Sequence, residues 1–176
     1  MQYRTILDLC AGSGAWSQPY VDHGYQVVRV SLPTDVRMME FPGTVHGILA
    51  APPCTVFASS GARWKRTEED MRQALSVVDA CLRLVVVCKP EWWALENPVG
   101  TLRRWLGPPA CWFQPSDYGD TYTKKTGLWG NFTQPLFSPV IPSEGSKMHL
   151  KMSSKQAALR AVTPSGFAEK FFGANP

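Results

Sequence analysis

The chain of 176 residues is 44% hydrophobic and 18% charged, enough for one real core and too little for two. Seven tryptophans and eight phenylalanines exclude a disordered chain, because such chains lack the residues that drive collapse. The formal charge is +4, unevenly placed: residues 1–60 carry three basic and four acidic groups, residues 61–176 fifteen and ten. A mildly basic second half suits a polyanionic partner; solvated lysines alone would also produce it. The longest apolar run, Ala80–Cys88, is broken by Arg83 and falls short of the roughly 20 residues a membrane span needs. The opening Met-Gln-Tyr-Arg-Thr lacks the order of a secretory signal, so a cytoplasmic protein with no membrane partner is expected. Five cysteines with no Cys-x-x-Cys pair predict thiols, and the isolated His23, His46 and His149 predict no metal.

No repeat or linker divides the chain, so one domain over 1–176 is expected. Tyr3–Leu9 reads as a buried strand that runs into the turn Asp8-Leu9-Cys10-Ala11-Gly12-Ser13-Gly14. A short helix follows from Ala15 to about His23, stopped by Gly24 at the position helices favour for glycine. Gln26–Ser31 is a second strand, and Val45–Ala50 a third that ends at Pro52-Pro53-Cys54. After the loop Thr55–Arg66, Thr67 caps a long helix whose first turn holds Glu68, Glu69 and Asp70, the charges that the helix dipole favours there. Met71, Leu75, Val78, Leu82 and Val85 form its predicted apolar stripe, and Pro90 ends it. Trp92–Glu96 is a fourth strand, closed by Asn97-Pro98. Strand and helix alternating in this way predict a parallel α/β sheet. Beyond Pro98 the pattern loosens into proline-rich turns, with one or two short helices over Ser154–Phe172.

In open parallel sheets, ligands sit beyond the carboxyl ends of the strands. Three such ends carry unusual residues: Asp8–Gly14, Pro52-Pro53-Cys54 and Glu96-Asn97-Pro98. Gly12 and Gly14 allow a tight turn, but Ser17 stands where a dinucleotide fingerprint needs its third glycine, which disfavours a bound pyrophosphate. A short acidic glycine turn suits a cationic, zwitterionic cofactor such as S-adenosylmethionine; it equally serves chain geometry alone. Cys54, clamped behind two prolines, is either a small buried hydrophobe or a nucleophile whose pKa is lowered by Arg63, Lys65 and Arg66 on the next loop. The other four cysteines are expected to be small buried hydrophobes. Glu96 follows the apolar run Trp92-Trp93-Ala94-Leu95. It is either a surface cap or a carboxyl whose pKa is raised by burial, able to donate to a ring nitrogen.

These segments, together with Thr55-Val56-Phe57, Val99, and the stretch Tyr118-Gly119-Asp120 through Lys124-Lys125-Thr126-Gly127-Leu128-Trp129-Gly130, occur in the order and spacing of the DNA cytosine-5 methyltransferases. The chain resembles the small phage and bacterial members over nearly its whole length. The resemblance implies a Rossmann-like S-adenosylmethionine-dependent sheet and transfer of a methyl group to cytosine carbon 5 in duplex DNA, the base being swung out of the stack. It also implies that Cys54 is the nucleophile and Glu96 the acid, with Lys124 and Lys125 where the family's arginines touch the pyrimidine and the phosphate backbone. Lysine lacks the arginine fork, so that exchange is not neutral; an exposed basic turn is the alternative.

For the cofactor, the resemblance implies contacts from Asp8, Leu9, Cys10, Ala11, Gly12, Gly14, Ser31, Asp35, Val36, Pro52 and Thr163. Ser31 replaces the acidic residue the family uses for ribose, and Ala161-Val162-Thr163-Pro164 replaces its Gly-Asn. The loop Thr55–Arg66 becomes a mobile lid with Gly61 as hinge, and Ser60, Arg63, Lys65 and Arg66 join the two lysines in binding DNA. Only a reduced target-recognition region remains, within about 100–160, ahead of a closing helix in 161–176. Sequence-specific reading is therefore expected to be short, relaxed or supplied by another subunit. The rival readings are a catalytically silent module that docks nucleic acid or a partner, an amino-methylating enzyme, and an enzyme that moves another group or acts on RNA. Ala51-Pro52-Pro53-Cys54 lacks the polar and aromatic flanks that amino methylation needs.

Overall fold

The computed structural model describes residues 4–40, 42–61, 65–146 and 161–176. Its elements are β1 (Thr5–Leu9), α1 (Gln18–Asp22), β2 (Gln26–Val30), β3 (Gly47–Ala50), α2 (Glu68–Cys88), β4 (Trp92–Pro98), α3 (Arg103–Leu106), β5 (Cys111–Phe113), β6 (Tyr122–Thr123), β7 (Thr126–Asn131), β8 (Gly145–Ser146) and α4 (Ser165–Ala174). The main sheet has six strands in the order β2-β1-β3-β4-β7-β5, and β6 pairs with β8 apart from it. Helices lie on both faces. Leu7, Leu9, Ile48, Ala50 and Leu95 join α2 in one cluster, while Ile6, Leu49, Trp92 and Ala94 join Tyr20 of α1 and Phe167 and Phe171 of α4 in the other. This alternation along each strand is the period-2 geometry of the pleat.

The first four strands agree with the alternating pattern and run parallel. The expectation of an all-parallel sheet is corrected by β7, which lies antiparallel between β4 and β5. Thr126-Gly127-Leu128-Trp129-Gly130-Asn131 has no apolar alternation, so nothing in it reads as a strand. Its place comes from the neighbour: a side chain at Gly130, where φ is +149°, would collide with the Trp93 carbonyl, so only glycine lets the two backbones approach. The fourth strand also runs on through Asn97 and Pro98 instead of ending at Glu96.

The long helix starts at its predicted cap. The Thr67 hydroxyl accepts from the Asp70 amide at 3.1 Å, and Asp70 accepts from the Thr67 amide at 2.8 Å, a reciprocal capping box. Its buried line is Val78, Cys81, Leu84 and Cys88, not the expected Met71–Val85 stripe, whose other members are half-buried. Two cysteines act as core hydrophobes, and counting only aliphatic residues rotated the stripe. The helix stops at Lys89, which takes a left-handed conformation (φ +48°), one residue before Pro90. The helix over Ser165–Ala174 overlaps the predicted C-terminal helices; the rest of that expectation, through residue 160, lies outside the described residues.

Candidate functional site

The carboxyl ends of the parallel strands are sewn together by backbone hydrogen bonds. Ala11 N–H donates to the Val30 carbonyl at 3.0 Å and Ala51 N–H to the Leu9 carbonyl at 3.0 Å. Because β3 and β4 run in register with Ala50 opposite Leu95, the two segments that follow are neighbours. The Asn97 amide, fully buried, donates to the Pro52 carbonyl at 3.1 Å. One residue before Asn97 is Glu96; two residues after Pro52 is Cys54. The sheet thus brings the Pro-Pro-Cys and Glu-Asn-Pro segments to one edge.

Half-buried Cys54 sits at the head of a tight turn, its carbonyl accepting from Phe57 N–H at 3.0 Å and Ala58 N–H at 2.8 Å. That turn is fastened to the stretch after β4. Ser59 N–H donates to the Val99 carbonyl at 3.0 Å, Thr101 N–H to the Phe57 carbonyl at 2.8 Å, and Ala58 bridges to Gly100. A Cβ at Gly100 would collide with the Phe57 carbonyl, so glycine permits this close crossing. The Arg66 guanidinium donates to the carbonyls of Thr55 (3.3 Å) and Ala58 (2.9 Å). Arg66, expected to join in binding DNA, staples the loop behind the cysteine through these bonds. The first residues of the predicted lid are therefore tied down, and Ser59–Gly61, containing Ser60, forms a 3-10 turn. Lys65 is exposed; Arg63 lies outside the described residues.

Glu96, 17% exposed, does not stand in the apolar surround its strand implies: the Lys124 ammonium, 12% exposed, is 3.6 Å from Oε1. Lys125 instead lies 5.3 Å from the centre of the Trp112 ring, a cation–π contact. The two lysines treated alike in sequence thus have different neighbours, one the carboxylate and the other an indole.

Beside this edge, a cleft of about 520 Å³ opens over the ends of β1, β2 and β3. Five of the expected cofactor contacts line it: Cys10, Gly12, Ser31, Asp35 and Val36. Val30, Leu32, Thr34, Arg37, Ala51, Pro53 and Val77 complete it. The Ser31 hydroxyl is buried with no hydrogen-bond partner among the described residues, an uncompensated polar group that a ligand hydroxyl or amine would satisfy. Asp35 caps the 3-10 turn Val36–Met38 through the Arg37 amide at 2.9 Å. Its carboxylate is gripped by the Arg37 guanidinium at 2.6–3.0 Å, which holds its pKa below the ordinary value. Arg37 also reaches Gln73 (2.6 Å) and Ser76 (3.2 Å) on α2, so it joins the cleft wall to the helix behind. Only its place two residues beyond Asp35 marks it in the sequence.

The other expected cofactor residues do not line this cleft. Asp8 is 1% exposed. Its carboxylate accepts from the Ser17 hydroxyl at 2.5 Å, and that oxygen accepts in turn from Arg29 Nε at 2.9 Å. Arg29 Nη2 also donates to the Gly14 carbonyl at 3.1 Å. Burial pushes Asp8 up to about 6, against the Ser17 hydrogen bond and the Arg29 charge. Asp8 therefore knots the glycine turn from behind, and Ser17, at the site of the missing third glycine, is the centre of that knot. Leu9 is core, while Ala11, Gly14 and Pro52 act through backbone links; Thr163 precedes α4, outside the cleft lining. Cys10, at φ +58°, corrects the expectation of a buried hydrophobe: it is half-buried on the cleft wall. A hydrogen bond from the Cys81 thiol lowers its pKa, while Cys81 is pushed up by that same contact and by burial. Cys111 is half-buried too. No group of three or more metal-ligating side chains occurs among the described residues, and none of their helices is long and apolar enough to cross a membrane.

No protein-family model matches the chain, and no curated protein sequence does. Among solved structures, a similar one is a prophage-encoded E. coli protein described as a candidate DNA modification methyltransferase. It matches at a TM-score of 0.54 and 17% identity over 78% of this chain. The two chains share a fold. The match spans 53% of the E. coli protein, so the present chain corresponds to about half of it.

Proposed function

We propose that the chain is a DNA cytosine-5 methyltransferase with a Rossmann-like S-adenosylmethionine site. The observation that carries this reading is the Asn97–Pro52 hydrogen bond, which joins the cysteine and glutamate segments at the strand ends beside the cleft. The fold shared with the E. coli protein supports it. The cleft suits an adenosine moiety in size and in polar need: its volume lies within the range of small-molecule sites, and the Ser31 hydroxyl lacks a partner among the described residues. Gly12, Ser31, Asp35 and Val36 would hold the cofactor, which supplies an electrophilic methyl group.

The chain's own residues do the rest. Cytosine carbon 5 is too weak a nucleophile to take a methyl group unaided. Addition of the Cys54 thiolate to carbon 6 forms a C–S bond and pushes electron density onto carbon 5, and Glu96 holds ring nitrogen 3 as that nitrogen gains charge. Once carbon 5 carries the methyl group, loss of its proton returns the electron pair to the ring and expels the thiolate. Lys124, already beside Glu96, keeps a positive charge next to the carboxylate and the pyrimidine. The Arg66 staple and the Gly100 crossing hold the thiol's turn in place.

Incubation with S-adenosylmethionine and a mixed-sequence duplex, followed by nucleoside mass spectrometry, is expected to yield 5-methylcytosine, and C54A to yield none while still binding S-adenosylhomocysteine. Methylation of another base, or undiminished product from C54A, would overturn the proposal.

A further inference from the structure

The cations expected to meet DNA are largely engaged elsewhere: Arg66 by backbone carbonyls, Lys124 by Glu96 and Lys125 by Trp112. Arg103 and Arg104 of α3 are not. Both are exposed, and neither guanidinium makes a hydrogen bond or ion pair with another described residue; the Arg104 amide donates only to the Thr101 carbonyl at 2.8 Å. Directly after them comes Trp105, 55% exposed. Two unengaged guanidiniums beside an open indole match a polyanion with planar bases, since guanidiniums favour phosphate oxygens and an aromatic face stacks on sugars and bases.

The position of α3 is set by the catalytic edge. Leu102, immediately before it, is buried in the core. Thr101 donates to Phe57, and Gly100 bridges to Ala58, the residues whose amides close the Cys54 turn. On its other side, Trp105 shares a groove with Glu68, Met71, Arg72 and Leu75. These lie in the first turns of α2, which runs back from the carboxyl ends of the strands. The charges of Glu68 and Asp79 in that groove repel phosphate, and Arg72 there pairs with Glu69. Like-charge repulsion from the groove thus favours the arginine side of the indole for a phosphate backbone.

We propose that Arg103, Arg104 and Trp105 form a duplex-DNA contact flanking the target base, the arginines on backbone phosphates and the indole against the exposed strand. This contact rests on the DNA reading above.

The test is anisotropy titration of a labelled mixed-sequence duplex with S-adenosylhomocysteine present, repeated across a range of salt concentrations. R103Q/R104Q is expected to lower the slope of log affinity against log salt by about 1.8, at about 0.9 per phosphate contact. R103K/R104K is expected to keep the wild-type slope, and W105A to weaken binding about tenfold or more at unchanged slope. Cofactor affinity, read by calorimetry, is expected to be the same in all four proteins. A wild-type slope in the glutamine variant overturns the contact. So does a change confined to its sedimentation, which would mean that the patch covers a second copy of the chain. Methyl transfer with an unaltered salt slope sinks only the contact; an arginine-dependent slope without methyl transfer sinks only the catalytic reading.

Discussion

Asp8→Asn probes the buried knot beneath the glycine turn. The Asp8 carboxyl is raised from 3.8 to about 6 by burial, more than Ser17 and Arg29 lower it. A raised acid binds its proton more tightly folded than unfolded, so the native state loses stability as pH climbs from the unfolded value through the folded one. The full span, 2.2 units from those two values, corresponds to about 3 kcal/mol. About 2 kcal/mol of it falls between pH 4.5 and 7.5. Asparagine keeps an oxygen to accept from Ser17 and has no proton to lose over this range. Urea unfolding of both proteins across that range is expected to show wild type losing about 2 kcal/mol relative to the variant as pH rises. A difference independent of pH would show that burial does not govern this carboxyl. A trend in the opposite direction would show that attraction to Arg29 outweighs the cost of burial.

Thr67→Ala removes half of the capping box and is expected to cost about 1 kcal/mol, a fall of about 2–4 °C in melting temperature for a chain of this size. Gly100→Ala drives a methyl group into the Phe57 carbonyl and the Ala58 backbone, neither of which can rotate away. Single-turnover methyl transfer is expected to drop while S-adenosylhomocysteine affinity, measured by calorimetry, stays within about twofold. Arg37→Ala unties Asp35 from α2 and opens the cleft wall. The dissociation constant for S-adenosylhomocysteine is expected to rise about tenfold, roughly 1.4 kcal/mol, with the Cys54 turn unaffected in a crystal structure.

Local chemistry carried much of this protein on its face. The Thr67 box, the glycine turn and the four parallel strands are short-range features, set by hydrogen-bonding side chains and apolar spacing within a few residues, and they stand close to where the pattern puts them. The strand-end segments holding Cys54 and Glu96 were legible for the same reason, since a parallel sheet delivers the ends of its strands to one edge. What required the tertiary structure were partners distant in sequence. Strand β7 is a strand because β4 lies beside it. Arg66 turns inward because the fold brings the carbonyls of Thr55 and Ala58 within reach of its guanidinium. Lys124 and Lys125, adjacent in the chain between β6 and β7, diverge to a carboxylate and an indole. Asp8 belongs to a buried knot because Ser17 and Arg29, on separate elements, converge on it. In each case the deciding partner is supplied by the folded chain and not by neighbours in sequence, and for Asp8 the deciding quantity is its desolvation.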